Sequence, residues 1–268
     1  MIFSGSLILD LLKRYKGETL MIKEKINQAL EKDGVVILPP SDVFNTIALL
    51  HEANIHTDCT MLDPWYNKGF GGVLPDAEYD EFIRKLLNET SNISNLIYLW
   101  GFPEVIGPYV RYAPPHFKMS AWLTWYYKNC PSVIRGWRSS QNACLQFLRE
   151  GCSLHPEHFL TPEQKEKFDS GKMRYVPGPP SVIESPLIIG FVGKKEQTGH
   201  PSQKPEAVFD KLIQMGTKEG EIIFDPMAGS GTTGASAKKN GRKSILCDMN
   251  EEYIQIMENR LGVKRLVF

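Results

Sequence analysis

The chain predicts an α/β fold: a circularly permuted nucleotide-binding sheet with helices on both faces and a small insert. Three observations point there. A short apolar run at 222–224 leads through Asp225 and Pro226 into Gly229, Gly231 and Gly234, a literal G-x-G-x-x-G. Glycines at such a turn let the chain reverse tightly and let a ligand approach bare backbone. The amides there, with the positive end of the following helix, attract electron-rich groups. A second apolar run, 244–247, ends at Asp248, 19 residues after Gly229. A carboxylate there can accept hydrogen bonds from ribose hydroxyls, so the pair predicts a nucleoside cofactor. The glycine turn also falls in the last fifth of the chain, with room for about one βαβ unit after it. The other strands must therefore come from earlier residues. That position argues against a nicotinamide enzyme, which would use the same turn.

Composition bounds the rest. The chain has 268 residues, 42% of them hydrophobic, and a formal net charge of zero. This suits one large domain, or one with an insertion, and any nucleic-acid-binding face must be local. No apolar run approaches membrane-spanning length and no signal-peptide pattern opens the chain, so no membrane partner is expected. Five cysteines, odd in number and irregular in spacing, suit reduced thiols in a cytoplasmic protein.

Helical spacing predicts helices over 4–15 and 20–32, with Gly34 as a stop. A strand over 35–38 ends at Pro39 and Pro40, and Ser41 or Asp42 caps the next helix. A strand over 59–62 then runs into Asp63-Pro64-Trp65-Tyr66. A carboxylate, a proline carbonyl and an aromatic ring stand together at a strand's C-terminal end, the ligand edge of an open α/β sheet. The trio suits a planar base with an exocyclic amine. Asp63 accepts one amino hydrogen, the Pro64 carbonyl takes the other, and Tyr66 stacks on the ring. Holding both hydrogens favours an sp3-like nitrogen whose lone pair attacks an electrophilic methyl. Taken alone, D-P-x-x is also a common turn.

Together, DPWY (63–66), HPSQKPE (200–206) and FDPMAGSG (224–231) resemble the amino-group DNA methyltransferases that act on adenine-N6 or cytosine-N4. The order, catalytic motif first and cofactor motif late, is similar to the permuted beta group. The resemblance implies a Rossmann-like methyltransferase sheet, S-adenosylmethionine as cofactor and double-stranded DNA as substrate. It also implies a restriction enzyme as a partner to look for, and a monomer or homodimer. It makes Asp63, Pro64, Trp65 and Tyr66 the catalytic loop. It makes Phe224, Asp225, Pro226, Ala228, Gly229, Ser230, Gly231, Thr232, Thr233 and Asp248 cofactor contacts, with Ser202 and Lys204 near the cofactor carboxylate. Trp65 stands where the family carries a second proline, which bears on loop rigidity and the pocket wall. Aspartate at the first position leans toward adenine, since cytosine-N4 enzymes often carry serine there. A cytosine-C5 mechanism needs a cysteine nucleophile, typically in Pro-Cys, and this chain has only Cys130-Pro131. An RNA or protein-amide methyltransferase would share the cofactor half, and a non-catalytic binding module would share the turn.

Between the motifs, the pattern predicts a glycine-rich loop over 67–72, a helix over 76–87 and strands over 95–100, 120–127 and 142–147. Trp125 to Lys128 resembles the family's W-x-K segment. Arg135 and Arg138, with Trp137 between them, suit phosphate contact and base stacking. Residues 150–182 hold five prolines and no clear sheet role. They are read as a target-recognition insert, with Lys172 and Arg174 on phosphates, dividing a catalytic domain made of 1–149 and 183–268. Cys152, His155 and His158 are compact but lack a fourth ligand, so no metal is expected. A strand over 187–192, a helix from Pro205 to about Gly216 and a final helix over 251–261 complete the reading.

Overall fold

The computed structural model describes residues 5–68, 72–130 and 136–268. Arg135 and the middle of the 67–72 loop lie outside those residues. Helix α1 runs unbroken over Gly5–Asp33, where two helices were predicted, and Gly17 is carried inside it. It stops where Gly34 takes a left-handed φ of 70°. Strand β1 (Val35–Ile37) is wholly buried. Asp42 caps α2 (Val43–Glu52), accepting from the Phe44 amide at 2.8 Å. Then come β2 (Cys59–Leu62), α3 (Asp76–Ser91), β3 (Leu96–Gly101) and the short α4 (Pro103–Ile106). A β-hairpin follows, β4 (Phe117–Tyr126) and β5 (Gln141–Arg149). Helix α5 (Pro162–Asp169) carries a capping box on Thr161, and β6 is Val182–Glu184. The C-terminal part holds α6 (Glu206–Gly216), β7 (Ile222–Asp225), α7 (Thr232–Lys239), β8 (Lys243–Leu246) and α8 (Glu251–Leu261).

The eight strands form one sheet in the order β1-β8-β7-β2-β3-β5-β4-β6. The five from β1 to β3 are mutually parallel, β5 is antiparallel to both its neighbours, and β6 is parallel to β4. Buried strands alternate their side chains between two faces. Val36, Leu62, Ile97, Phe224 and Ile245 pack with α1, α2 and α3. Met61, Tyr98 and Ile223 pack with α6 and α7, while Val35, Ile37 and Leu246 pack with α8. The result is the three-layer, permuted Rossmann-like sheet that the motif order implied.

The direction in which successive strands are added reverses between β2 and β7. From β7 the crossover through α7 goes one way, to β8; from β2 the crossover through α3 goes the other way, to β3. That is a topological switch point, and ligands bind there beyond the strands' C-terminal ends. The same rim receives the end of β4 at Tyr126, which pairs with Gln141 and Glu184.

One predicted strand is displaced. Residues 187–192 are not a strand; the sheet is extended by Val182–Glu184 instead. Pro186 stands two residues past that strand, and Ile189, Phe191 and Val192 of the predicted run are exposed. The segment read as an insert leaves β5 at Arg149, beside Phe117 at the start of β4, and thus at the edge opposite the switch point. It is docked there against the C-terminal end of α6, where the His155 amide donates to Met215 O at 2.8 Å.

Candidate active site

The turn after β7 is pinned by its own side chains. The buried Asp225 accepts from the Met227 amide at 3.0 Å and from the Thr233 hydroxyl. Burial lifts its carboxyl to about 7, against those two donors. Asp248, at the end of β8, accepts from the Gly229 amide at 3.0 Å and the Asn250 amide at 2.9 Å. Its carboxyl is likewise raised by burial. Gly231 has φ 75°, and a Cβ on it would stand 3.0 Å from Met257 Cγ. A Cβ on Gly229 would stand 2.9 Å from His200 Nε2. Glycine is therefore required by conformation and by close approach together.

Sequence reasoning missed Arg260. Its guanidinium donates to Ser230 O at 3.1 Å and Thr232 Oγ1 at 3.0 Å, and pairs with Glu206 at 2.7 Å. It ties the glycine turn to α6 and α8. Its only sequence signal is a charge between Met257 and Leu261, both of which face the core.

Strands β2 and β7 are hydrogen-bonded neighbours, with Thr60 beside Phe224. Asp63 follows the last residue of β2 and Pro226 the last residue of β7, at the same rim. The Tyr66 hydroxyl donates to Asp63 Oδ1 at 2.9 Å. The Lys204 ammonium donates to the other carboxylate oxygen and lies 5.5 Å from the Tyr66 ring and 5.6 Å from the Trp100 ring. Burial, first, and the Asp63 charge push the Tyr66 phenol well above its usual range. Tyr66 meets Phe102 edge to face at 4.8 Å. Trp65 goes elsewhere. Its indole packs on Tyr79 and Phe82 of α3, with centroids 5.4 and 4.8 Å away, and its carbonyl accepts from the Tyr79 hydroxyl at 2.7 Å. Aromatic packing on α3 thus steadies the loop where a second proline was expected.

One segment joins the two turns. Lys204 reaches Asp63 with its ammonium, and its backbone carbonyl accepts from the Thr232 hydroxyl at 3.0 Å. His200 sits against Gly229 and meets Tyr253 edge to face at 4.3 Å. Burial lowers the His200 pKa, Asp63 opposes that shift and Lys204 adds to it. Ser202 is exposed, and its amide donates to His200 Nδ1 at 3.2 Å.

The expected DNA contacts divide. Arg138 is exposed in the loop between β4 and β5, on the rim that carries Asp63. Lys172 and Arg174 belong to the segment that leaves the sheet at the far edge, at Arg149, and rejoins it where Val182 pairs with Thr124, near the rim end of β4. Among the described residues no group of three or more His, Cys, Asp or Glu is placed to hold a metal. His155 instead faces Glu157 at 3.0 Å, and His158 meets the Gln214 carbonyl at 2.7 Å. No helix among the described residues is long and apolar enough to cross a membrane.

A permuted sheet with a carboxylate-bearing loop and a glycine turn sharing its switch point is the architecture of one class: the amino-group methyltransferases. Comparison with known proteins agrees. Residues 24–259 match the family model for the N6/N4 type of DNA methylase, and the chain belongs to that family, whose methyl donor is S-adenosylmethionine. It is 29% identical over 237 residues to the type II methyltransferase M.HpaI of Haemophilus parainfluenzae, spanning 82% of this chain and 72% of that one. The solved M1.HpyAVI–SAM complex aligns with a TM-score of 0.65 at 21% identity, over 85% of this chain and 100% of the other. The cytosine-N4-specific PvuII DNA methyltransferase aligns with a TM-score of 0.63 at 14% identity, over 88% and 91% of the two chains.

Proposed function

We propose that the protein methylates adenine-N6 in double-stranded DNA, taking the base out of the stack and into the rim crevice between β2 and β7. The observation that supports this best is the pairing of Thr60 with Phe224, which sets Asp63 beside the glycine turn. Aspartate at the head of the loop favours adenine over cytosine.

The residues present fit the cofactor. The buried Asp225 suits an ammonium group, Asp248 suits ribose hydroxyls, and the bare backbone at Gly229 and Gly231 admits close approach. Phe224, Pro226, Ala228, Ser230, Thr232 and Thr233 frame that turn. When bound, S-adenosylmethionine supplies an electrophilic methyl on a sulfonium. The chain does the rest by positioning. Asp63 is kept in place by Tyr66 and Lys204, one on each oxygen. A carboxylate has about four lone-pair sites, so Asp63 retains acceptor capacity for one amino hydrogen while the Pro64 carbonyl takes the other. Both bonds strengthen as the nitrogen becomes tetrahedral and positive, which places their benefit in the transition state.

Mass spectrometry of nucleosides from DNA of cells expressing the protein tests this. N6-methyladenine is the expected product. N4-methylcytosine instead would overturn the base assignment and leave the chemistry intact. Methyl label in RNA or protein alone would overturn the DNA reading. The likeness to a type II methyltransferase supports a cytoplasmic enzyme, monomer or homodimer, paired with a restriction endonuclease that its methylation blocks.

A further inference from the structure

We infer that Phe191 is the side chain that enters the DNA stack when the target base leaves it, an inference that rests on the proposed reading of the site. Residues 185–199 connect the rim end of β6 to the His200–Lys204 segment beside Asp63. Their course is fixed at both ends. The Leu187 amide donates to Asn129 Oδ1 at 2.8 Å, and the Asn129 side-chain amide donates back to Leu187 O at 3.0 Å. Further on, the Gln203 side chain donates to Glu196 O at 2.6 Å. Between those ties the loop turns through Gly190 and Gly193, at φ 58° and 66°. The Gln197 side chain braces it, donating to Gly190 O at 2.9 Å and Val192 O at 2.8 Å.

The product of that bracing is a phenyl ring that is 93% exposed, with the exposed Lys194 and Lys195 three and four residues further on. An ordered loop that spends glycines and a glutamine side chain to hold a phenylalanine in water has forgone the burial that normally places such a ring. The DNA this family acts on supplies what is missing. Phosphates complement the two lysines, and the gap left by an extruded base offers two aromatic faces to a ring of similar thickness. Trp137, 94% exposed in the β4–β5 loop on the same rim, is the rival. Phe191 is preferred because its loop runs directly into the segment that holds Asp63.

The test compares methyl incorporation into one unmethylated DNA, presented as duplex and after heat denaturation. Only the duplex requires a base to leave a stack. Phe191→Ala in the full chain should lower the duplex-to-denatured activity ratio about tenfold or more, and Phe191→Trp should restore it. Thermal melting of the variant should match the parent, since the ring touches solvent. An unchanged ratio overturns the inference, as does a selective duplex loss that follows Trp137→Ala and not Phe191→Ala. Failure of the parent protein to label either form of DNA would instead sink the functional reading, and this inference with it.

Discussion

After β7 the chain turns through Gly229 and Gly231, and the carboxylates that hold the turn, Asp225 and Asp248, lie within 24 residues of one another, with Arg260 and Lys204 adding ties from outside. After β2, on the adjacent strand, it turns through Asp63 to Tyr66, and what holds that turn comes from far away. Lys204 lies 141 residues from Asp63 in sequence, and Trp65 is anchored on α3. The first turn is a preformed cradle with its carboxylates buried. The second keeps its carboxylate partly open, with one partner on each oxygen. On the proposed reading the contrast is a division of labour: the turn proposed for the cofactor has its carboxylates committed, and the turn proposed for the base keeps acceptor capacity in reserve.

The largest expected effect tests that division outright. Asp63→Ala should lower kcat about 10³-fold, the scale of losing one transition-state hydrogen-bond partner. Cofactor affinity measured by calorimetry should stay put. A parallel loss of cofactor affinity would show that the two turns are one unit.

Asp225→Asn probes the cradle next. Loss of a charge-assisted hydrogen bond, about 1.5–3 kcal/mol, should weaken cofactor binding roughly 10- to 100-fold. The carboxyl also carries a pH signature. Its folded pKa of about 7 lies above the ordinary aspartate value of 3.8, so between those values the folded state binds more protons than the unfolded one. Its contribution to stability is therefore present at low pH and is lost as pH rises through about 7. Thermal melts of parent and variant across pH 5 to 8 should diverge, the variant being flatter. Parallel curves would mean that Asp225 titrates like a solvated carboxyl.

Trp65→Phe should do least. Among the described residues the buried indole N–H has no partner, so a phenyl ring surrenders no hydrogen bond there and costs under about 1.5 kcal/mol. Methyl transfer should hold within about threefold. A tenfold fall with unchanged melting would move Trp65 from packing against α3 into the base pocket.

Legibility follows the same contrast. The glycine turn, the start of α7 and the whole of β2 and α8 could be read from local pattern, because strand, turn and cap residues there follow one another in sequence. Lys204 and Arg260 could not be assigned their partners, because each acts across the fold and a lone cation carries no such address. Strand β6 was missed for a different reason. It has one buried residue, Ile183, between two exposed ones, while the longer apolar run at 187–192 imitates a strand. Apolar composition misled there because the run faces solvent beside the site. The far-edge departure of the segment 150–182 is set by the antiparallel register of β5, which only pairing reveals.

The strand order has a bearing on how the molecule comes into being. Strands β1 and β2, early in the chain, are not neighbours; β8 and β7, from near its other end, slot between them. Until the last quarter of the polypeptide has emerged from the ribosome, the sheet has a two-strand gap flanked by two open, apolar edges. The glycine turn thus arrives with the wedge that closes the gap. A polypeptide halted before β7 should stick to its neighbours and not persist as a half-folded sheet.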